Sequence, residues 1–415
     1  MSVPWTAYRV LAPVLGALAP AAGVFASPHE QPFWKERMGE ASLPGGCHAW
    51  VHAASLGEAA AVPPLLRELR LHEPQARFWL TATSRTGRAR LRKLERGTSL
   101  APIDSPQAIR RFTEGVQPQR LFLIETELWP HWLLRAEADG IPVAIVSARL
   151  SERSVGRYRN LGAPMRKLVS GLGAVLCQSE DDQRRWLEIG ADPARTRVVG
   201  NLKSDGLPHP AEDRAAARAA LGMDPARPLL VLGSLRPGEG RHMARAWNAM
   251  SPATRARWQV VAVPRHPRAS EELSAEVSSA GVTVGADPGR AEAWLWDDRV
   301  GVLVDWYRAA DAAFVGGSLS PFAGHNPLEP AACGAAVLMG PHHESQRDYV
   351  RALSAGAAIS LAAAGEPLVA ALRELLENDE LRAARARAAR EVAEAQRGSA
   401  ARAVAALVEL GLWPE

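Results

Sequence analysis

The first half of the chain alternates short apolar runs with amphipathic stretches. The apolar runs CHAWVHAAS, RFWLTATS, RLFLIETE, IPVAIVSARL and GAVLCQS are separated by segments of helical periodicity such as VPPLLRELRL and RTGRARLRKL. Continuous apolar strands between helices are typical of a parallel sheet that is covered on both faces. The pattern therefore predicts a doubly wound, Rossmann-like α/β domain over residues 41–203.

The pattern restarts after the polar, proline-containing stretch GNLKSDGLPHPAEDRAAARAALG, which predicts a linker at 204–222. The later runs RPLLVLGS, WQVVAVPRHP, GVTVG, VGVLVDW, AAFVGGS and AAVLMGP predict a second α/β domain at 223–390. A helix is predicted at 391–415, and one arrangement open to it is to pack back on the first domain. We expect the two domains to face one another across a cleft, with the chemistry in loops that follow strands.

The N-terminal segment Tyr8–Ala26, YRVLAPVLGALAPAAGVFA, is nearly free of charge and about as long as a bilayer-spanning helix. Three interpretations stay open: a membrane span or membrane-dipping anchor, a cleaved signal peptide, and a buried helix. We assign residues 1–40 to a membrane-associating segment. The charges on either side of the apolar stretch are balanced and indicate no orientation.

Charge and cysteine content exclude several classes of protein. A formal net charge of +4 over 415 residues fits an anionic substrate or an acidic membrane surface, but it lacks the basic stripe of a nucleic-acid-binding protein. Cys47, Cys177 and Cys333 are scattered and have no CxxC spacing. Their pattern argues against a disulfide framework or a zinc site and favours a reducing compartment.

Ser55-Leu56-Gly57-Glu58 follows the first predicted strand and allows two interpretations. As a capping box, Ser55 is the N-cap and Glu58 is the third residue of the helix. As a catalytic site, Glu58 lies at the carboxyl end of a strand, and Gly57 leaves room for a ligand. The helix N-terminus is then expected to lower the pKa of Glu58 and keep it ionised as a proton acceptor.

Glu125 and Glu127 end another apolar strand and point to one side for as long as the strand geometry continues. Burying both carboxylates without partners would be costly, so the alternative is a solvent-exposed pair. Ser147 and Arg149 follow the next strand, in VSARLSERS. Arg149 is the expected partner of either glutamate or of an anionic ligand.

In the second half, the Gly-rich loop GSLRPGEG, which begins at Gly233-Ser234, is weak evidence for a phosphate cradle. In VPRHP, Arg265 and His266 are held between Pro264 and a second proline. Basic groups stiffened in this way suit a phosphate, and an exposed turn is the alternative.

The stretch FVGGSLSPFAGHNPLEPAACGAAVLMGP predicts a nucleotide site. Gly316-Gly317-Ser318 ends a strand, and Asn326-Pro327-Leu328-Glu329 begins a helix with Asn326 as N-cap and proline at the first position. Free N–H groups at a helix start bind anions. A carboxylate in the first turn opposes a phosphate, so Glu329 suits hydrogen bonds from ribose hydroxyls.

These blocks together resemble the Kdo (3-deoxy-D-manno-octulosonic acid) transferases of lipopolysaccharide assembly, which belong to the GT-B group. The matching segments, in chain order, are SLGE, ETELWP, SARLSERS, GNLKSD, VPRHP and FVGGSL…GHNPLEPAA…LMGP. The resemblance covers nearly the whole chain. It implies that the first domain binds a lipid A precursor and the second binds CMP-Kdo, at the cytoplasmic side of the cell inner membrane.

The resemblance also implies site residues. Glu58 falls on the catalytic base of the family, with Glu125 and Glu127 as further catalytic candidates. The CMP contacts fall on Pro264, Arg265 and Asn326–Glu329. Residues expected to bind or position the acceptor are Ser55, Gly57, Ser147, Arg149 and Lys203.

Two elements of this chain depart from the family pattern. An MGE element that contacts CMP should fall at Val300-Gly301-Val302, where valine replaces the glutamate. In the Gly-rich loop, Leu235, Arg236 and Pro237 replace the threonine, histidine and first glutamate of the family. Both departures concern donor contacts.

The predicted reaction is a single inverting displacement with general base catalysis and with neither a metal ion nor a cofactor. A nucleoside monophosphate leaving group has no pyrophosphate to chelate, and no DxD stands at a strand end. One alternative is another GT-B transferase or an epimerase that uses a UDP-sugar. The other is a secreted or periplasmic binding protein of two α/β lobes.

Overall fold

The computed structural model describes residues 5, 6, 8, 12, 30–285 and 293–415. The predicted apolar segment at 8–26 therefore lies almost entirely outside the described residues. None of the described helices is both long enough and apolar enough to cross a bilayer.

The described chain divides into two compact units. The first ends at Gly206 and also takes in Gly398–Glu415, and the second runs from Leu207 to Arg397. Each unit contains one seven-stranded sheet in which every paired strand is parallel. Two parallel-sheet α/β domains were expected from the alternating apolar runs, and this prediction is confirmed.

The first sheet has the strand order β3-β2-β1-β4-β5-β6-β7. Its strands are β1 (Ala49–His52), β2 (Phe78–Ala82), β3 (Thr98–Leu100), β4 (Leu121–Ile124), β5 (Val143–Ala148), β6 (Ala174–Cys177) and β7 (Thr196–Val198). The α-helices of this unit cover Gln31–Arg37, Val62–His72, Arg85–Leu91, Pro106–Val116, Pro130–Asp139, Glu152–Asn160, Ala163–Ser170, Glu180–Glu188 and Ser399–Glu409. Short 3₁₀ turns cover Glu58–Ala61, Pro193–Arg195 and Leu202–Gly206.

Successive side chains of these strands alternate between two cores, one on each face of the sheet. On β4, Phe122 and Ile124 belong to one core, whereas Leu121 and Leu123 belong to the other. Both faces are apolar because helices cover both, so the strand sequences are continuously hydrophobic.

The last helix closes one face of the first unit. Its first turn is capped by Asp205, whose carboxylate accepts the backbone N–H groups of Ser399 at 3.0 Å and Ala400 at 2.6 Å. Beyond the helix, Trp413 is buried and donates its indole N–H to the carbonyl of Leu69 at 3.0 Å. Contacts distant in sequence therefore hold the C-terminus on this core.

The second sheet has the strand order β10-β11-β9-β8-β12-β13-β14. Its strands are β8 (Leu229–Leu235), β9 (Gln259–Pro264), β10 (Val284–Gly285), β11 (Trp294–Trp296), β12 (Ala312–Val315), β13 (Ala336–Met339) and β14 (Ile359–Leu361). The α-helices cover Arg214–Ala220, Glu239–Asn248, Pro252–Arg257, Ser270–Ser279, Leu303–Ala309, Leu328–Ala332, Arg347–Ala355, Glu366–Glu377 and Asp379–Ala395. Two 3₁₀ turns cover Pro267–Ala269 and Glu344–Gln346.

One predicted strand of the second unit is wrong. The run VGVLVDW forms a loop and the start of the helix Leu303–Ala309, and the strand lies earlier, at Trp294–Trp296. Val302, Leu303 and Trp306 of the run pack with the next residue, Tyr307, in one core and have helical spacing, whereas Val300 is 86% exposed. Trp306 also donates its indole N–H to the carboxylate of Asp297 at 2.8 Å, which ties this helix to the end of β11.

Candidate active site

Glu58 follows β1 and makes the local hydrogen bonds of a capping box. The hydroxyl of Ser55 accepts the backbone N–H of Glu58 at 3.2 Å and donates to one carboxylate oxygen at 2.9 Å. The other oxygen accepts the backbone N–H of Ala54 at 2.8 Å, one residue before the position a standard box uses. The carboxylate is half-buried, so it is held at this sheet edge without being enclosed.

The pKa of Glu58 is raised, and the expectation of a lowered pKa is wrong. Burial is the largest cause, and the negative charges of Glu125 and Glu127 raise the pKa further. The hydrogen bonds from Ser55 and Ala54 act in the opposite direction but do not outweigh burial. The result is a carboxylate of increased basicity, which is the property a general base needs.

Glu125 and Glu127 do not share one face of a continued strand. Strand β4 ends at Ile124, and Glu125 has a left-handed backbone with φ of 65°. Its carboxylate forms an ion pair with Lys203, from the 3₁₀ turn Leu202–Gly206 that follows β7. The predicted residue Lys203 therefore lies beside Glu125.

Glu127 has partners of its own. One of its carboxylate oxygens accepts the indole N–H of Trp129 at 2.7 Å and lies 3.7 Å from Nε2 of the buried residue His52. The side chain of Glu127 is 19% exposed, so the expected alternative of a fully solvated pair does not describe it.

Ser147 has a positioning role, and the anionic-ligand role of Arg149 stays a prediction. Ser147 is fully buried, and its hydroxyl accepts the backbone N–H of Leu202 at 3.3 Å and the amide of Gln178 at 3.2 Å. It cannot contact an acceptor, but it positions the segment that carries Lys203. Arg149 is exposed, and Lys203 rather than Arg149 pairs with Glu125.

In the second unit, the loop after β9 contributes to a cluster of basic side chains that we call the basic cluster: Arg236, Arg265, His266, Arg268 and His325. Pro264 is the buried last residue of β9, and Arg265 after it is exposed. Burial, followed by the charges of Arg265 and Arg236, lowers the pKa of His325 to about 4. Burial and the same arginines, with Arg268, also lower the pKa of His266. Both imidazoles are therefore neutral at pH 7, and the arginines carry the positive charge.

The backbone amides of Gly316-Gly317-Ser318 cannot make the predicted donor contacts, because all three already have acceptors within the protein. The N–H of Gly316 donates to the carbonyl of Gly233 at 2.8 Å. Glu239 is fully buried and accepts the backbone N–H groups of Gly317, Ser318 and Leu319, each at 2.8 Å. It accepts a fourth, from Arg236, at 2.9 Å. These N–H groups are not available to a phosphate.

The other groups of this loop are also used internally. The hydroxyl of Ser318 is buried, donates to the carbonyl of Val315 at 2.6 Å and accepts the N–H of Gly340 at 2.8 Å. A Cβ on Gly316 would lie 2.4 Å from the carbonyl oxygen of Ser234, so glycine is required there for packing. Ser234 is itself mostly buried, with φ of 56°, at an irregularity of β8.

At the last predicted element, the carboxamide oxygen of Asn326 accepts the N–H of Leu328 at 3.0 Å. The helix that follows, Leu328–Ala332, has only five residues, so its start is a weaker anion site than expected. Pro327 and Leu328 are buried, and Leu328 belongs to the core, so its side chain cannot contact a nucleotide. Burial raises the pKa of Glu329, and Asn326 and Arg265 partly offset this.

Val300-Gly301-Val302, where this chain departs from the family pattern, forms an open turn. Gly301 has a left-handed φ of 89°, and a Cβ there would meet no atom within 4 Å. The turn precedes the helix Leu303–Ala309 and presents the apolar side chain of Val300 to solvent. This turn offers a nucleotide no carboxylate from residues 300–302.

Sequence reasoning missed Glu239 and His52, two fully buried polar residues of these sites. Glu239 stands in GSLRPGEG, where a glutamate before a helical run is a detectable signal, but its partners lie about 80 positions away. His52 is part of an apolar strand and carries no such signal. Within residues 30–285 and 293–415, no three His, Cys, Asp or Glu residues cluster as a metal site.

Asp104 is a further buried carboxylate of the first unit, and it gives a testable pH dependence. Burial raises its pKa to about 7, although backbone N–H groups of Trp132 and His131 partly offset this. The folded protein then keeps a proton that the unfolded chain loses above its ordinary pKa of 3.8. The contribution of protonated Asp104 to the free energy of unfolding should be complete below about pH 4. It should be lost as the pH rises to about 7.

Asp104→Asn should remove this dependence. The asparagine can still accept the N–H of Trp132, and it cannot ionise. We expect the free energy of unfolding in urea to rise by about 2 kcal/mol at pH 8 and to change little at pH 4.5. The exposed Asp298→Asn is the matched control, and equal changes at both pH values for Asp104→Asn would contradict the assignment.

Comparison with solved structures places the two parallel-sheet units among proteins of GT-B type. UDP-GlcNAc 2-epimerase from Neisseria meningitidis, bound to UDP-GlcNAc, has a TM-score of 0.60 at 13% identity, covering 87% of this chain and 99% of that chain. A UDP-N-acetylglucosamine 2-epimerase from Listeria monocytogenes, described as putative, has a TM-score of 0.56 at 14% identity. The match covers 84% of this chain and 94% of that chain. At these identities the likeness concerns the fold alone.

Sequence comparison gives the family. The family model for 3-deoxy-D-manno-octulosonic-acid transferase matches residues 33–206, and a glycosyl transferase-like model matches residues 289–408. The 3-deoxy-D-manno-octulosonic acid transferase of Bordetella pertussis is 36% identical over 385 residues, which is 88% of each chain. That of Chlamydophila psittaci is 32% identical and covers 82% of this chain and 80% of the relative. The chain belongs to the Kdo transferase family and is a glycosyltransferase.

Proposed function

We propose that this protein transfers Kdo from CMP-Kdo to a lipid A precursor of the lipid IVA type, at the cytoplasmic face of the cell inner membrane. The observation that carries the mechanism is Glu58. In a member of the Kdo transferase family, Glu58 is a half-buried carboxylate at the start of the 3₁₀ turn that follows β1, and its pKa is raised by burial and by Glu125 and Glu127.

The basic cluster supports binding of the donor phosphate. Arg236 and Arg265 supply permanent positive charge, and the Nε of Arg236 is buried without a hydrogen-bond partner in the described part of the chain. The Cζ of Arg236 also lies over the ring of Phe322, 4.5 Å from its centroid, a cation–π contact that helps to hold the guanidinium in place. Arg236 replaces a histidine of the family pattern, so here an arginine strengthens the phosphate site.

The proposed reaction is a single displacement at the ketosidic carbon of Kdo. Glu58 takes the proton from a glucosamine hydroxyl of the acceptor while that oxygen bonds to the ketosidic carbon. The bond from this carbon to the CMP phosphate oxygen breaks, and CMP leaves with the electron pair. The arginines of the basic cluster stabilise the charge on the departing phosphate, and a monophosphate leaving group requires no metal ion.

The surroundings of Glu58 and Glu127 suit a lipid acceptor. Leu56 is 46% exposed and Trp129 is 37% exposed, and each lies within two residues of one of these carboxylates. Apolar side chains of this kind can contact acyl chains or the membrane interface. The apolar N-terminal segment is the second proposed membrane contact.

The direct test is to incubate the purified protein with CMP-Kdo and a tetra-acylated glucosamine disaccharide lipid, without added metal and with EDTA. Mass spectrometry should find a product heavier by one or more Kdo units, together with an equal amount of CMP per transferred sugar. No product, or a product only with added divalent metal, would contradict the proposal.

The alternative is a GT-B enzyme that uses a UDP-sugar, as the neighbours of similar fold suggest. Competition separates the two nucleotides. CMP should displace a fluorescent cytidylate from the protein, whereas UDP at the same concentration should not. Displacement by UDP alone would favour the alternative.

A further inference from the structure

A chain of buried polar groups runs between the two strands next to the proposed base. Trp50 and His52 lie on β1, and in the parallel register His52 stands opposite Thr81 of β2. The three side chains therefore lie on one face of the sheet. All are buried, and Thr81 and His52 are fully buried.

The hydrogen bonds of this chain determine which nitrogen of His52 carries the proton. The indole N–H of Trp50 can only donate, and it donates to Oγ1 of Thr81 at 2.7 Å. The single proton of the Thr81 hydroxyl needs an acceptor, and Nδ1 of His52 at 2.9 Å is the acceptor it reaches within the described residues. Neutral His52 then has its proton on Nε2.

The Nε2–H group of His52 faces Glu127. Nε2 is buried without a hydrogen-bond partner in the described chain, and the carboxylate of Glu127 lies 3.7 Å away. An unpaired buried N–H is costly, whereas a movement of less than 1 Å by the partly exposed Glu127 would form a charge-assisted hydrogen bond. Hydrogen bonds of this kind are often long in unliganded sites and shorten when the substrate binds.

The imidazole itself has little freedom to turn. Trp132 packs its ring edge-on against His52, with centroids 4.9 Å apart and planes at 80°. Trp129 holds the same oxygen of Glu127 from the solvent side. A rigid donor on one side and an indole on the other define one position for the carboxylate.

We propose that His52 is a positioning residue, whose Nε2–H orients Glu127 beside the base Glu58. The inference rests on the proposed function, because the proposed effect of Glu127 acts through the base Glu58. In that case the charge of Glu127 is one of the contributions that raise the basicity of Glu58. Misplacing Glu127 then lowers the rate of transfer without touching the donor site.

Two substitutions separate this role from a purely structural one. Glutamine places its amide near the position of Nε2 and can donate to Glu127, whereas asparagine reaches only the position of Nδ1 and can accept from Thr81. We expect His52→Gln to keep kcat within about threefold of the unmodified protein and His52→Asn to lose at least tenfold. His72→Gln, at the exposed end of a helix, is the matched control. Asparagine equal to or better than glutamine, or full activity of both, would overturn the proposal.

Histidine ¹⁵N NMR of the unmodified protein tests the same inference without turnover. At pH 8, the His52 proton should be on Nε2, and Glu127→Gln should move its resonance. A proton on Nδ1, or a resonance unaffected by Glu127→Gln, would overturn the proposal even if a variant fails to fold. Absence of Kdo transfer by the unmodified protein, with the proton found on Nε2, would instead reject the proposed function and leave the tautomer assignment intact.

Discussion

Glu58→Gln should abolish most Kdo transfer while the protein keeps its fold. Glutamine has the shape of glutamate, and its carboxamide can still accept from Ala54 and donate to the hydroxyl of Ser55. It cannot take a proton at neutral pH. General base catalysis contributes a factor of roughly 10²–10⁴, so kcat should fall by about that factor.

The measurement is kcat for transfer from CMP-Kdo, with thermal unfolding and CMP binding as parallel readouts. Glu68→Gln, on the helix that follows Glu58, is the control and should behave as the unmodified protein. A Glu58→Gln protein with near-normal kcat would leave Glu58 with the capping role alone. A protein that is inactive and equally stable decides for catalysis.

The raised pKa of Glu58 gives this residue a pH signature. As the proposed base, Glu58 must be ionised, so kcat should fall as the pH drops through its raised pKa, at a higher pH than an ordinary glutamate would give. Ser55→Ala removes a hydrogen bond that lowers this pKa. The acid limb of its profile should therefore shift to higher pH, and a shift to lower pH would contradict the assignment.

Glu239→Gln should cause the largest loss of stability among the substitutions considered. Each carboxylate oxygen of Glu239 accepts two backbone N–H groups, Ser318 and Leu319 on one oxygen and Arg236 and Gly317 on the other. Whichever oxygen becomes an NH₂ group, two buried N–H donors lose their acceptor and face another donor. At about 1–3 kcal/mol for each unsatisfied donor, the expected loss is about 2–6 kcal/mol.

Urea unfolding of the second unit checks this value. Glu272→Gln, exposed on a neighbouring helix, is the control and should change the free energy of unfolding by less than about 0.5 kcal/mol. If Glu239→Gln were as stable as the control, the carboxylate would not be what holds the loop at Gly317–Leu319. The amides of Gly317 and Ser318 would then be open to the nucleotide, as the predicted donor contacts there require.

The Asp104, Ser55 and Glu239 substitutions concern groups whose properties depend on burial, and the sequence predicted these least well. The capping interaction of Ser55 with Glu58 was predictable because its donors and acceptors lie within five residues of one another. The sign of the pKa shift of Glu58 was not, since it depends on burial and on Glu125 and Glu127, which arrive from another strand. The ion pair of Glu125 with Lys203 likewise joins residues 78 positions apart.

The sequence by itself determined the architecture and the family. Continuous apolar runs between amphipathic segments specify buried parallel strands, because every strand face must meet a helix, and local motifs mark most helix starts. The tertiary structure alone decided which charged groups meet. Glu239 occupies the amides of Gly317 and Ser318, which were predicted to contact the donor, and His52 faces Glu127 from inside an apolar strand. Electrostatic partners are chosen by proximity in space, and neither composition nor periodicity encodes that proximity.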